Sequence, residues 1–253
     1  MKNTILTTQV MGYFDRLRLV KVKDILSQTM ELAETQSISY LSFLEKLLAA
    51  EVAHKDQRRI EMSLRVSGLP YIRSIDDFDF NHVPTLDQRL IHSLFDLTFI
   101  AEKKNILFLG PPGLGKTHLA IALAVKACHS GFSIYFTEMD SLIKKLKDAD
   151  TDTEKQRTAR SRCYNKSSLV IIDEVGYTPL DRYECNLFFR FIKNRYEKNS
   201  IILTSNKSFS QWAELAADPI IMTAILDRLL HHSITVNLQG DSFRLKYQNK
   251  GLA

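Results

Sequence analysis

The chain has 253 residues, 45% hydrophobic and 25% charged, which suits one α/β core plus a smaller accessory region. No run of about 18 apolar residues occurs, and charge follows the apolar patch Ile5 to Val10 at once. Neither a membrane span nor a secretion signal is therefore expected. The net charge of +5 favours a polyanionic partner such as nucleic acid. Cys128, Cys163 and Cys185 lie far apart, without a CxxC pair or zinc spacing, which predicts reduced, non-ligating thiols in a cytoplasmic protein.

Residues 1–68 carry helical signals and no strand. Ile25, Leu26, Met30 and Leu32 recur at helical spacing. A further helix is predicted from about Ser39, with Leu41, Leu44, Leu47, Leu48 and Val52 on one apolar stripe and Gly68 and Pro70 as its stop. These residues form a helical N-terminal domain, and 69–253 a second domain whose first part, 69–100, is a linker. In that linker Ile75, Phe78 and Phe80 read as anchors packed on the core, and Leu86 to Leu97 as a helix. From Asn105 onward the pattern alternates. Strands are expected at Asn105–Leu109, Phe132–Phe136, Leu169–Asp173, Ile201–Thr204 and Ile234–Val236, with helices between them. Short buried strands separated by helices predict a parallel sheet covered on both faces. Met139 to Lys147 reads as helical, Asp148 to Asp152 as a break, and Thr153 to Tyr164 as an extra helix.

The chemistry centres on Gly110-Pro111-Pro112-Gly113-Leu114-Gly115-Lys116-Thr117, followed by His118, which fits G-x-x-x-x-G-K-[ST] between a buried strand and an apolar-periodic helix. Polyphosphate oxygens are best held by several inward-pointing backbone N–H groups and a helix N-terminus, and glycines let the chain curl that tightly. Lys116 then reaches the β- and γ-phosphates of ATP, and Thr117 ligates Mg²⁺. The strand Leu169–Asp173 ends in Asp173 and Glu174. Asp173 completes the Mg²⁺ shell, and Glu174 orients and polarises the attacking water, which points to hydrolysis rather than transfer to a small molecule. Asn206, after the strand Ile201–Thr204, either hydrogen-bonds the γ-phosphate or the water, or caps the next helix. Arg228 and Arg244 read, from residue chemistry alone, as surface or salt-bridging arginines. His231 and His232 have no third ligand at suitable spacing and read as structural. Lys2, Arg16, Arg18, Lys21 and Lys23, and Lys144, Lys145, Lys147, Arg157, Arg160 and Arg162, are open to two readings, a DNA-backbone surface or solvated helix faces.

GPPGLGKTHLA, VIIDEVGYTPLD, ILTSN and ILDRLLHHS, in this order and spacing, resemble the IstB family of transposition helper ATPases, related to the DnaC helicase loaders within the AAA+ superfamily. The resemblance covers nearly the whole chain. It implies a P-loop NTPase fold, a three-layer αβα arrangement about a central parallel sheet, preceded by a small all-α domain. It also implies an ATP- and Mg²⁺-dependent enzyme that self-associates into a homo-oligomer on double-stranded DNA and assists a cognate transposase, away from any membrane. A replicative helicase loader is the alternative. By motif position, Lys116 and Thr117 match Walker A, Asp173 and Glu174 Walker B, and Asn206 sensor 1. Arg228 matches the trans-acting arginine and Arg244 sensor 2. The linker lacks the aromatic residue expected before Pro70, which leaves the adenine pocket unassigned, and the short stretch after Arg244 predicts no full helical lid.

Overall fold

The computed structural model describes residues 2–151, 163–240 and 242–243. Its contacts divide the chain into two compact units, Met1–Met62 and Ser63–Ala253.

The first unit is helical: α1 (Lys2–Leu17), α2 (Val20–Gln36) and α3 (Tyr40–Val66), the last continuing into the second unit. Its core is small. Val22, Leu26 and Leu47 are buried, with Met11, Phe14, Leu19, Ile25 and Phe43 packed around them. No side chain caps α2 from its own N-cap residue, Leu19. Instead the Glu51 carboxylate, brought across from α3, accepts from the Lys21 and Val22 amides at 2.8 and 3.0 Å. These are orphan donors of a helix N-terminus, where a negative charge is favoured. The predicted α3 stripe splits: Leu47 is buried, whereas Leu41, Leu44, Leu48 and Val52 are exposed.

In the second unit, five strands pair in the order β2-β3-β4-β1-β5, and every pairing is parallel. They are β1 (Asn105–Leu109), β2 (Ile134–Glu138), β3 (Leu169–Val175), β4 (Ser200–Ser205) and β5 (Ser233–Asn237). Period-two alternation sends successive residues to opposite faces. Ile106, Phe108, Ile171 and Ile202 pack on one side with α4 (Gln88–Leu94), α5 (Thr98–Ala101) and α6 (Lys116–His129). Leu107, Val170, Ile172, Ile201 and Leu203 pack on the other with α7 (Met139–Thr151), α8 (Arg182–Arg195), α9 (Phe209–Leu215) and α10 (Pro219–His231). This is the expected three-layer arrangement.

Two expected elements differ. The helix expected over Leu86–Leu97 is confined to α4. Asp87 caps its start through the amides of Arg89 and Leu90, and Leu97 at φ 59° ends the run in the left-handed region. The break expected at Asp148–Asp152 does not occur by Thr151. There α7 continues, with Ala149 buried and Asp150 accepting from Tyr183 Oη and Arg190 Nη2 at 2.7 and 2.8 Å. Tertiary partners outweigh the weak helix propensity of the aspartates. The extra helix expected over Thr153–Tyr164 lies outside the described residues up to 162, and 163–166 are helical. Arg195 ties that stretch to the sheet. Its guanidinium is buried and donates to the carbonyls of Tyr164, Ser167 and Ser200 at 2.8–3.0 Å. Burial lowers its pKa to about 10.

Candidate nucleotide site

The site lies at the carboxyl end of the parallel sheet, where ligands of open α/β sheets bind. β1 ends at Leu109 and the chain turns through Gly110 to Gly115 into α6. Two glycines are required on geometric grounds. Gly110 sits at φ 141°, and a side chain there would run into the Leu238 carbonyl. Gly115, the N-cap of α6 at φ 84°, leaves room for the Phe78 ring, since a Cβ there would lie 2.5 Å from Phe78 Cε2.

Phe78 belongs to the linker, and the linker anchors behave as expected: Ile75, Phe78 and Phe80 pack against the core. The short turn Ile75–Asp77 is capped by Ser74 in a reciprocal capping box with Asp77. Phe78 meets Phe80 and His118 edge-on, with centroids 4.9 and 5.5 Å away, and His118 Nε2 lies 2.9 Å from the Ser74 carbonyl. The linker is thereby fastened to the first turn of α6. It forms one wall of a cleft of about 450 Å³ through Tyr71, Arg73 and Phe78. Pro112 to His118 form the floor, and Glu174, Thr204 and Asn206 line it as well.

Lys116 is buried, and its Nζ donates to the carbonyls of Gly110 and Pro111 at 2.7 Å each. Thr117 Oγ1 donates to the Asp173 carboxylate at 2.9 and 3.1 Å. A hydroxyl and a carboxylate this close form an all-oxygen donor set, which suits Mg²⁺. Thr204 Oγ1 also donates to Asp173 Oδ1, and it accepts from the Glu174 amide at 3.1 Å. Glu174 is exposed at φ 60°. Asn206 carries a buried Oδ1 with no hydrogen-bond partner among the described residues. An orphaned buried acceptor costs about 1–3 kcal/mol, so its place in a ligand cleft is informative.

The fold thus gathers Lys116, Thr117, Asp173, Glu174 and Asn206 at one place from three separate stretches. Arg228 is not among them. It lies on α10, with Nη1 donating to the Ala224 carbonyl at 2.8 Å and Cζ 4.8 Å from the Phe189 ring centre. Arg244 lies outside the described residues; the Phe243 amide before it donates to the Gly113 carbonyl at 3.0 Å. His231 Nδ1 shares a hydrogen bond with Tyr196 Oη at 2.7 Å, and Glu197 Oε1 lies 3.7 Å from His232 Nε2, a proximity that sequence spacing did not reveal. Sequence reasoning also passed over Thr204. The available signal was a polar residue at the end of an otherwise apolar strand, Thr204 being followed by Ser205 and Asn206. The basic side chains of α7 are partly committed: Lys145 Nζ donates to Tyr135 Oη at 2.7 Å, and Lys147 pairs with Glu184 at 2.7 Å. Arg157, Arg160 and Arg162 lie outside the described residues.

A five-stranded parallel sheet carrying this loop at the head of α6, with an acid pair near the tip of β3, defines a P-loop nucleotide-binding protein. A solved DnaC helicase loader has the same fold, at TM-score 0.50 and 23% identity over 60% of this chain and 87% of its own. The profile of the IstB-like ATP-binding proteins matches residues 13–251, and the chain belongs to that family. It is 45% identical to the insertion sequence IS5376 protein of Geobacillus stearothermophilus, over 92% of each chain. It is 41% identical to the insertion sequence IS21 protein of Pseudomonas aeruginosa, over 93% of this chain and 88% of the other. Among the described residues no helix is long and apolar enough to cross a membrane.

Proposed function

We propose that the protein hydrolyses ATP to ADP and phosphate with Mg²⁺, and that this turnover controls its assembly on double-stranded DNA as it assists a transposase in choosing target DNA. The observation that carries the hydrolytic reading is the convergence of Lys116, Thr117, Asp173, Glu174 and Asn206 on one cleft. The loop amides and Lys116 hold the phosphates. Thr117 and Asp173 would hold Mg²⁺, which would supply charge neutralisation for the triphosphate. Glu174 accepts a hydrogen bond from the attacking water and aligns it, and Asn206 supplies a further polar contact near the γ-phosphate.

The insertion-sequence relatives support the role in transposition. Motif position alone assigns Arg228 to the nucleotide of a neighbouring subunit and Arg244 to sensor 2. The helical region 1–68 then serves DNA binding and self-association, with 69–253 as the ATPase domain. Glu174→Gln tests the mechanism. Turnover is expected to fall by about 10²–10⁴-fold, while ATP binding and ATP-dependent DNA binding persist. Undiminished turnover in that variant would sink the mechanism. Capture of the element's transposase, rather than the host's replicative helicase, separates this role from that of a helicase loader.

A further inference from the structure

β3 and β4 pair in register from Leu169↔Ser200 to Ile172↔Leu203, and then again at Val175↔Ser205. Three steps along β3 match two along β4, so β3 carries one extra residue, a bulge spanning Asp173 and Glu174. Bulges beside active sites re-aim a side chain. Here the bulge contains Glu174 at φ 60°, a region that a residue with a Cβ adopts only when its surroundings hold it there. The element that holds it is visible. The Glu174 amide, displaced from the regular ladder, donates to Thr204 Oγ1 at 3.1 Å. The same hydroxyl uses its one proton on Asp173 Oδ1. Thr204 is 2% exposed, so water offers neither group a ready substitute.

From this we infer that Thr204 is a positioning residue for ATP hydrolysis. One buried hydroxyl fixes the carboxylate that holds the metal and the backbone from which the water-orienting carboxylate projects. The inference rests on the hydrolytic reading above. Thr204 ties the two acids to one strand, so that Asp173 and Glu174 are set relative to each other and to Asn206 two residues on. Thr117 supports only Asp173, through its own hydroxyl. Loss of Thr204 is therefore expected to affect the chemical step more than ATP affinity.

The test compares Thr204→Val, which keeps the shape and removes the hydroxyl, with Thr204→Ser, which keeps the hydroxyl. Steady-state hydrolysis is measured against ATP and against Mg²⁺ on the full chain. Removing a group that orients metal ligands typically costs about 10–100-fold. The valine variant is expected to lose that much in kcat and to need more Mg²⁺, with KM for ATP within about threefold of wild type; serine is expected to restore kcat to within about threefold. Thr204→Ala, which sets no methyl group against the Asp173 carboxylate, carries the same expectation as valine and serves if valine prevents folding. Emission from the single tryptophan, Trp212, reports folding of this unit. Wild-type kcat in the valine or alanine variant overturns the inference and leaves the hydrolytic reading intact. A serine variant as slow as valine also overturns it, by assigning the loss to packing. Absence of ATP turnover in the wild-type protein overturns both.

Discussion

The two compact units of this chain are held together differently. The unit from Ser63 onward buries both faces of its sheet, and Ile106, Leu107, Phe108, Ile171, Ile172, Ile202 and Leu203 are all fully enclosed. The unit up to Met62 has three buried apolar residues among its described side chains, and much of its longest helix shows leucine and valine to solvent. Surface-to-volume scaling penalises the smaller unit. The difference teaches that helical periodicity has separate meanings in the two places. On α6 it belongs to a helix enclosed nearly all round, with Leu119 to Val125 buried without a break. On α3 it marks a stripe of which Leu47 alone joins the local core.

Because Trp212 is the chain's one tryptophan and lies in the second unit, its emission follows that unit while far-ultraviolet circular dichroism follows both. The strongest way to break the comparison is Phe188→Ala. This ring is fully enclosed in the core cluster to which β3 and α10 also contribute, and its loss is expected to destabilise the second unit by about 3–5 kcal/mol. An unchanged midpoint for the tryptophan transition would contradict the burial described here.

Acid sharpens the comparison from the other side. Burial alone would raise the Glu51 pKa, but the hydrogen bonds from the Val22 and Lys21 amides and the neighbouring Lys55 bring it below its ordinary 4.5. A depressed carboxylate contributes stability that is present above the unfolded value and is lost as pH falls through the folded one. Helical signal from the first unit is therefore expected to soften below pH 4.5, before the tryptophan transition moves, and Glu51→Gln should flatten that dependence. Loss of both signals together at the same pH would remove the distinction.

The smallest effect is expected at Leu48→Ser. Leu48 is exposed, and such surface changes usually stay within about 0.5 kcal/mol. A destabilisation of the size expected for Phe188→Ala would place Leu48 in a core after all.

The site was legible in unequal parts. The loop from Gly110 to Thr117 and the acids Asp173 and Glu174 could be read directly, because phosphate and metal binding demand particular residues at fixed local spacing. The linker anchors Ile75, Phe78 and Phe80 were also visible as apolar residues in a polar stretch. Their contact with Gly115 and His118 was not, since it joins segments far apart in the chain. α7 ran through its aspartates for the same reason: Tyr183 and Arg190, which hold Asp150, come from another helix.

By itself the sequence determined the order of the five strands, the phosphate loop and the acid pair, since periodicity and motif spacing are properties of neighbouring residues. Only the tertiary structure decided that β3 bulges at Glu174, that Thr204 joins the two acids, and that Arg228 stays out of its own cleft. Each of these depends on strand register or on packing between distant segments. A register of pairing is set by the whole sheet, so no local pattern contains it.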